Sequence, residues 1–214
     1  MMRRRFEEQL EELNQEMQQM GNMVEEAIQK TIEALLKQDA NLAQSVIDAD
    51  TFVNQKQKEI ESICFKLLMQ QQPVASDLRV ISAALKMVTD IERIGDHAAD
   101  IAEMTIQLAN EPYIKNLEHI PQMASEIMWM LIQSVEAYVE KNMKKATSVI
   151  VHDDIVDELF AEVKKELIEL IHRDKNNGEQ AADLLMIAKY FERIGDHATN
   201  LAEAIVQSYD NKRK

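Results

Sequence analysis

Apolar residues recur along the opening segment at spacings of three and four: Phe6, Leu10, Leu13, Met17, Met20, Val24, Ala27, and then Thr31. Glu, Gln and Asn stand between them, so one stripe is apolar and the rest polar, the pattern of a bundle helix. The period lapses at "KQDANLA", where Asp39 or Asn41 can accept from the free amides that start a second helix. That helix carries Val46, Val53, Ile60, Ile63 and Leu67. It is expected to stop near Pro73, because the residue before a proline avoids the helical region. A third helix opens at "VASDLR", with Ser76 as its expected cap, and continues through Leu78, Ile81, Leu85, Val88, Ile91 and Ile94. "ANEPYIKN" then breaks the period with Asn110 and Pro112. Three more helices follow over about 117–142, 145–173 and 178–209. Their stops are "EKNMKK" and "DKNNGEQ", the latter placing Asn177 or Gly178 just past a helix end.

The same pattern is written twice. "VIDADTFVNQ" at 46–55 aligns with "VIVHDDIVDE" at 149–158, an offset of 103. "IERIGDHAADIAE" at 91–103 aligns with "FERIGDHATNLAE" at 191–203, an offset of 100. The seven letters ERIGDHA are identical at 92–98 and 192–198. The three-residue shortfall falls in the loop, where the second copy has no equivalent of "PVASDLR". An internal duplication accounts for this. The expected architecture is all-α: two tandem three-helix bundles, residues 1–112 and 113–214.

Composition removes alternatives. With only 4 Gly, 3 Pro and 5% aromatic residues, the chain lacks the turn formers and β-favouring side chains of a sheet protein. A net charge of −14 repels phosphate backbones, which argues against a nucleic-acid partner. The basic ends, Arg3-Arg4-Arg5 and Lys212-Arg213-Lys214, read as solvated termini. No run reaches the ~18–20 apolar residues of a membrane span, so no stable membrane insertion is expected. "FEEQLEELNQEM" after the basic start is not a secretory signal. Cys64, the single cysteine, sits in "SICFKLLM" and reads as a buried thiol. The expected location is the cytoplasm.

The repeated heptapeptide carries the candidate chemistry. Residues four apart share a helix face, so Glu92, Asp96 and Asp100 form one stripe, matched by Glu192, Asp196 and Asn200. Ile91, Ile94, Ala98 and Ile101 take the core side. Like charges at this spacing repel by a few tenths of a kcal/mol per pair, and a cation would relieve them. Asp50 with Asn54, and Asp153 with Asp157, repeat the spacing on the preceding helix. One expected cation site is therefore Glu92, Asp96, Asp50 and Asn54; the other is Glu192, Asp196, Asp153 and Asp157. Oxygen donors without thiolates suit Mg²⁺, Mn²⁺, Ca²⁺ or iron. Two rival readings stand beside this one. Arg93 and Arg193 neutralise the stripes internally, or the stripes form a metal-free scaffold surface for basic partners.

His97 and His197, five residues after the glutamates, are turned from the stripe by about 140° and read as hydrogen-bonded packing residues. Gly95 and Gly195 each cost about 1 kcal/mol inside a helix. They point to close approach by a neighbouring helix, or to room for a bound group. No P-loop, nucleophile elbow or dinucleotide loop occurs, so an enzyme is not expected. A ferritin-like di-iron protein would need paired Glu-x-x-His motifs; only Glu169 and His172 have that spacing, with no counterpart in the other half.

"QQQPVASDLR" at 70–79, the segment around Asp50 and the two heptapeptides in this order resemble the PhoU family of phosphate-uptake regulators. The resemblance implies two three-helix bundles and acidic motifs that hold metal clusters in some members. Those motifs fall here on Glu92 and Asp96, on Glu192 and Asp196, and on Asp153 and Asp157. Asn54 stands as a neutral ligand beside Asp50, and Asn200 replaces a carboxylate where the first copy has Asp100. The implied ion is divalent or trivalent: iron, zinc, manganese or magnesium. The implied role is a non-enzymatic adaptor between the ATPase of a high-affinity phosphate ABC transporter and a sensor histidine kinase. It would restrain both phosphate uptake and the phosphate-starvation genes. Such a protein is expected to be a homodimer, held at the inner face of the membrane only through its partners.

Overall fold

The structure, a computed structural model, describes residues 2–70 and 74–209. Six helices account for nearly all of it: α1 (Met2–Lys37), α2 (Ala40–Gln70), α3 (Ala75–Leu108), α4 (His119–Glu140), α5 (Met143–Arg173) and α6 (Gly178–Tyr209). No strand occurs among the described residues. Pro73, the expected stop of the second helix, lies outside them.

The ends of the helices show which side chains punctuate the chain. Asp39, not Asn41, caps α2, its Oδ1 accepting from the amides of Asn41 and Leu42 at 3.0 Å each. At α3 the expectation of a Ser76 cap fails. The helix begins at Ala75, and Val74 holds the N-cap position without a side-chain bond. The stop at "DKNNGEQ" is also made differently. α5 ends at Arg173, and Asp174 Oδ1 takes the amide of Asn176 at 3.0 Å to start one 3₁₀ turn, Lys175–Asn177. Gly178 (φ −59°) is right-handed and opens α6 instead of closing α5. The two left-handed residues that do follow helices are Gln38 (φ 53°) and Lys141 (φ 56°). Gln38 Nε2 donates to the carbonyls of Leu108 and Glu111 at 2.9 and 2.6 Å, tying the end of α1 to the end of α3.

α1, α2 and α3 pack as one bundle, and α4, α5 and α6 as the other. The bundles meet along α3 against α6 and α1 against α4. Their cores merge: Met17, Met20, Ile60, Ile91 and Ile94 are fully buried in the same cluster as Ile127, Met130, Phe191, Ile194 and Leu201. Where α1 crosses α4, a Cβ on Gly21 would stand 3.0 Å from Val135 Cγ2. Cys64 lies in this core, where burial pushes its thiol up to about 12. The duplication is visible in single bonds. Thr31 Oγ1 donates to the Ala98 carbonyl at 3.2 Å, and Ser134 Oγ donates to the Ala198 carbonyl at the same distance. No described helix is long and apolar enough to cross a membrane.

Candidate metal centres

The glycine of each heptapeptide lets two helices close on one another. A Cβ on Gly95 would stand 3.2 Å from Val53 Cγ1 and 3.5 Å from Asp50 Oδ1. On Gly195 it would stand 3.3 Å from both Asp153 Oδ1 and Val156 Cγ1. In the second bundle the missing side chain makes room for Asp153 and Val156 of the preceding helix; in the first it makes room for Val53, with Asp50 beside it in ordinary contact. Asp50 is carried to the α3 stripe, and Asp153 to the α6 stripe. Ile91, Ile94, Ala98 and Ile101 are buried behind the first stripe, as expected. The stripe itself climbs out of a groove: the Glu92 side chain is 13% exposed, Asp96 30% and Asp100 41%.

Burial first and neighbouring charge second raise the proton affinity of Asp50, Glu92, Asp153 and Asp196. Burial comes first for Asp50, and the neighbouring Asp96 and Asp100 charges add to it, so its pKa lies above the usual range. Glu92 is raised by burial and then by Asp96, with Asp50 and Glu61 adding and Arg93 opposing. In the second half burial, then Asp157 and Asp196, push Asp153 up to about 6. Asp196 is raised by burial and by Glu192. Asp50 Oδ1, Glu92 Oε2 and Glu192 Oε2 are buried without a hydrogen-bond partner. An anion left in that condition is costly, and a hard cation is the simplest group to satisfy it.

Cations of the chain itself already touch the stripes. Arg93 Nη1 is 2.8 Å from Asp96 Oδ2, and its Nε is 3.5 Å from Glu92 Oε2. In the second half the ion pair comes from Lys189, 2.5 Å from Glu192 Oε1, where the sequence had pointed to Arg193. Asn54 Nδ2 donates to Asp50 Oδ2 at 2.7 Å. Among the described residues no three His, Cys, Asp or Glu side chains converge into a preformed metal cage. The donor chemistry and the orphaned oxygens fit a cation. Closing on it would require these side chains to change rotamer.

The third member of each stripe is engaged elsewhere. His97 Nδ1 donates to Asp100 Oδ2 at 3.2 Å. His197 Nδ1 donates to Asp90 Oδ1 at 2.8 Å, and Asn200 Nδ2 reaches the same oxygen at 3.3 Å. The His97 and His197 rings lie 5.5 Å apart, and Tyr190 packs 5.4 Å from His97. The histidines are therefore hydrogen-bonded packing residues, and the place they pack is the seam between the bundles. Asp90 escaped the sequence reading. Its one trace was a mismatch, since position 90 is Asp where the otherwise matching position 190 is Tyr. Glu169, the residue of the ferritin-like alternative, lies on the surface 3.6 Å from Arg173 and does not project into the core.

A family model described as the PhoU domain matches this chain twice, over residues 17–105 and 120–205. The chain belongs to the PhoU family. It is 41% identical over 214 residues to a phosphate-specific transport system accessory protein PhoU homolog of Clostridium acetobutylicum, covering 100% of this chain and 98% of the relative. A protein of the same description from Aquifex aeolicus is 39% identical over 184 residues, 86% of this chain and 83% of that one. The crystal structure of PhoU from Pseudomonas aeruginosa superposes with a TM-score of 0.91 at 31% identity, covering 95% of this chain and 98% of that one. The phosphate transport system regulatory protein PhoU from Streptococcus pneumoniae gives 0.87 at 31% identity, with 95% and 96% covered. The doubled match of the PhoU domain agrees with the doubled heptapeptide and with the paired Thr31 and Ser134 bonds.

Proposed function

We propose that this chain is a non-enzymatic accessory protein of phosphate-specific transport. In this reading it works in the cytoplasm as an adaptor between the ATPase of a phosphate ABC transporter and a sensor histidine kinase, as a homodimer of units each made of repeats 1–112 and 113–214. The observation that carries the reading is the 41% identity along the whole chain with a phosphate-specific transport system accessory protein. The test is complementation. Introduced into a bacterium lacking its own PhoU, the chain should restore repression of a phosphate-starvation reporter in phosphate-rich medium. A reporter that stays fully on would overturn the adaptor role.

The acidic motifs are proposed to bind a divalent or trivalent ion. Glu92, Asp96, Asp50 and Asn54 would hold one, and Glu192, Asp196, Asp153 and Asp157 the other, with Asp100 and Asn200 flanking. Bound there, the ion would supply charge neutralisation and an open coordination face for an anionic ligand. Support comes from the buried Asp50, Glu92 and Glu192 oxygens that accept no hydrogen bond and from the mutual charge of each set. A metal-free reading, in which the stripes are docking faces, is favoured by the ion pairs of Arg93 and Lys189. Plasma mass spectrometry of the purified protein beside its Glu92/Asp96/Glu192/Asp196 quadruple Ala variant separates the two. Metal that vanishes in the variant supports the ion sites; no metal in either supports the docking faces.

A further inference from the structure

The two halves part company beside the metal-site aspartates. In the first, Met23, Glu26, Lys30, Ala49, Phe52 and Val53 line a largely apolar cleft of about 240 Å³, with Asp50 and Gly95 in its wall. The equivalent bonds of Thr31 and Ser134 set the register of α1 on α4 at an offset of 103, the same as that of α2 on α5. In that register Met23, Glu26 and Ala49 correspond to Glu126, Trp129 and His152. There the Trp129 and His152 rings meet at a tilt of 33° with centroids 4.1 Å apart, and His152 Nε2 donates to Glu126 Oε2 at 2.6 Å. The second half thus carries an aromatic pair at two of the positions that wall the cleft in the first half.

We propose that the first-half cleft is a socket for an aromatic side chain, tryptophan in the first instance, carried on a basic segment of a partner protein. The chain itself offers the template, since the second repeat carries an indole, Trp129, at the position of Glu26 in the cleft wall, its ring against His152 at the position of Ala49. Phe52, 67% exposed on the rim, is the wall that an incoming ring would cover. Charge points the same way. Glu26 is paired with Lys30 at 2.7 Å, but Asp50 Oδ1 faces no partner, and the whole chain carries −14. A lysine or arginine beside the ring would therefore be drawn in. The proposal rests on the adaptor reading above and applies to the metal-free first site, since an ion held by Asp50 would take up that charge.

The test is a titration of the full-length chain, labelled at methionine and valine methyls, followed by NMR. The probes are Lys-Trp-Lys amide, Lys-Ala-Lys amide and free indole. Lys-Trp-Lys should shift the Met23 and Val53 methyls saturably, and Lys-Ala-Lys should not. The Glu26→Trp/Ala49→His variant copies the second half's solution into the first and should lose the shift while keeping the parent's helicity. If that variant does not fold, Phe52→Ala removes only the exposed wall and should weaken the shift. No shift at these methyls in the parent, or an undiminished one in the folded variants, overturns the proposal. Indole binding as tightly as the peptide would make the cleft a small-molecule site. Concentration-dependent self-association covering the same methyls would assign it to a second copy. Either result also overturns it. A failed titration with reporter repression intact sinks the socket alone; loss of repression in complementation sinks the adaptor.

Discussion

At the scale of single residues, Gly95 and Gly195 decide how near α2 and α5 come to the acidic stripes. A methyl at either position needs a shift of a few tenths of an ångström from Val53 or Val156, and the helix gains about 1 kcal/mol from replacing glycine. Gly195→Ala should therefore change the melting temperature little. Gly195→Leu drives a branched side chain into Asp153 and Val156, and overpacking of this kind costs about 1–3 kcal/mol. Thermal denaturation of the two variants side by side checks the contrast; equal Tm values would mean that the helices are not in close approach here.

Asp153 gives a second residue-scale prediction. Its folded pKa, about 6, lies above the ordinary value of 3.8. Folding therefore favours its protonated form. The associated stability is fully present below the ordinary value and is lost as pH rises through about 6. In chelator-treated protein, Asp153→Asn should gain in Tm relative to the parent as pH is raised from acid to neutral. A difference that does not move with pH would show that the carboxylate is neither buried nor crowded by Asp157 and Asp196 in the way described.

Between elements, the contact that matters is the seam of α3 on α6. Asp90 serves both His197 and Asn200 there; Asp90→Ala strands the partly buried His197 donor, while the exposed Asn200 amide turns to water. Leaving a partly buried donor unpaired costs about 1–3 kcal/mol. Urea denaturation should register a loss of that order, and His197→Ala in the Asp90→Ala background should add little, because the bond is already gone. Full additivity would place the two residues in separate environments.

The elements themselves were legible in the sequence, since a period of three and four cannot be mistaken over thirty residues, and of the two caps it offered for α2 the structure uses Asp39. Gly178 was misleading because Asp174 had already turned the chain with its own side chain. The roles of Asp100 and Asn200 could not be read at all. Spacing places them on the stripe with Glu92 and Glu192, but only the docking of the bundles decides that they belong to the seam. The cleft by Asp50 was equally hidden, since it depends on what α1 offers across from α2.

For the whole molecule the governing quantity is self-repulsion. A chain at −14 with carboxylates crowded in two grooves should be stabilised by salt, and differently by different ions. Monovalent salt should raise the Tm of the chelated protein gradually, by screening. A divalent ion that enters the grooves should raise it saturably at far lower concentration, as expected of a ligand bound only by the folded state. The quadruple Ala variant should keep the first response and lose the second. Identical responses in parent and variant would mean that the added ions act by screening alone.

The seam has a consequence for how such a chain can change over generations. Because the His97 and His197 rings face each other across α3 and α6, each copy of ERIGDHA is part of the surface on which the other is built. A substitution in one copy is judged at once by its twin, in the same molecule, and a pair once duplicated cannot drift apart freely. That is a reason for seven identical letters to persist where the flanking helices have diverged. It also marks position 90 against 190, Asp facing one histidine and Tyr facing the other, as the place where the duplicate has been released from symmetry.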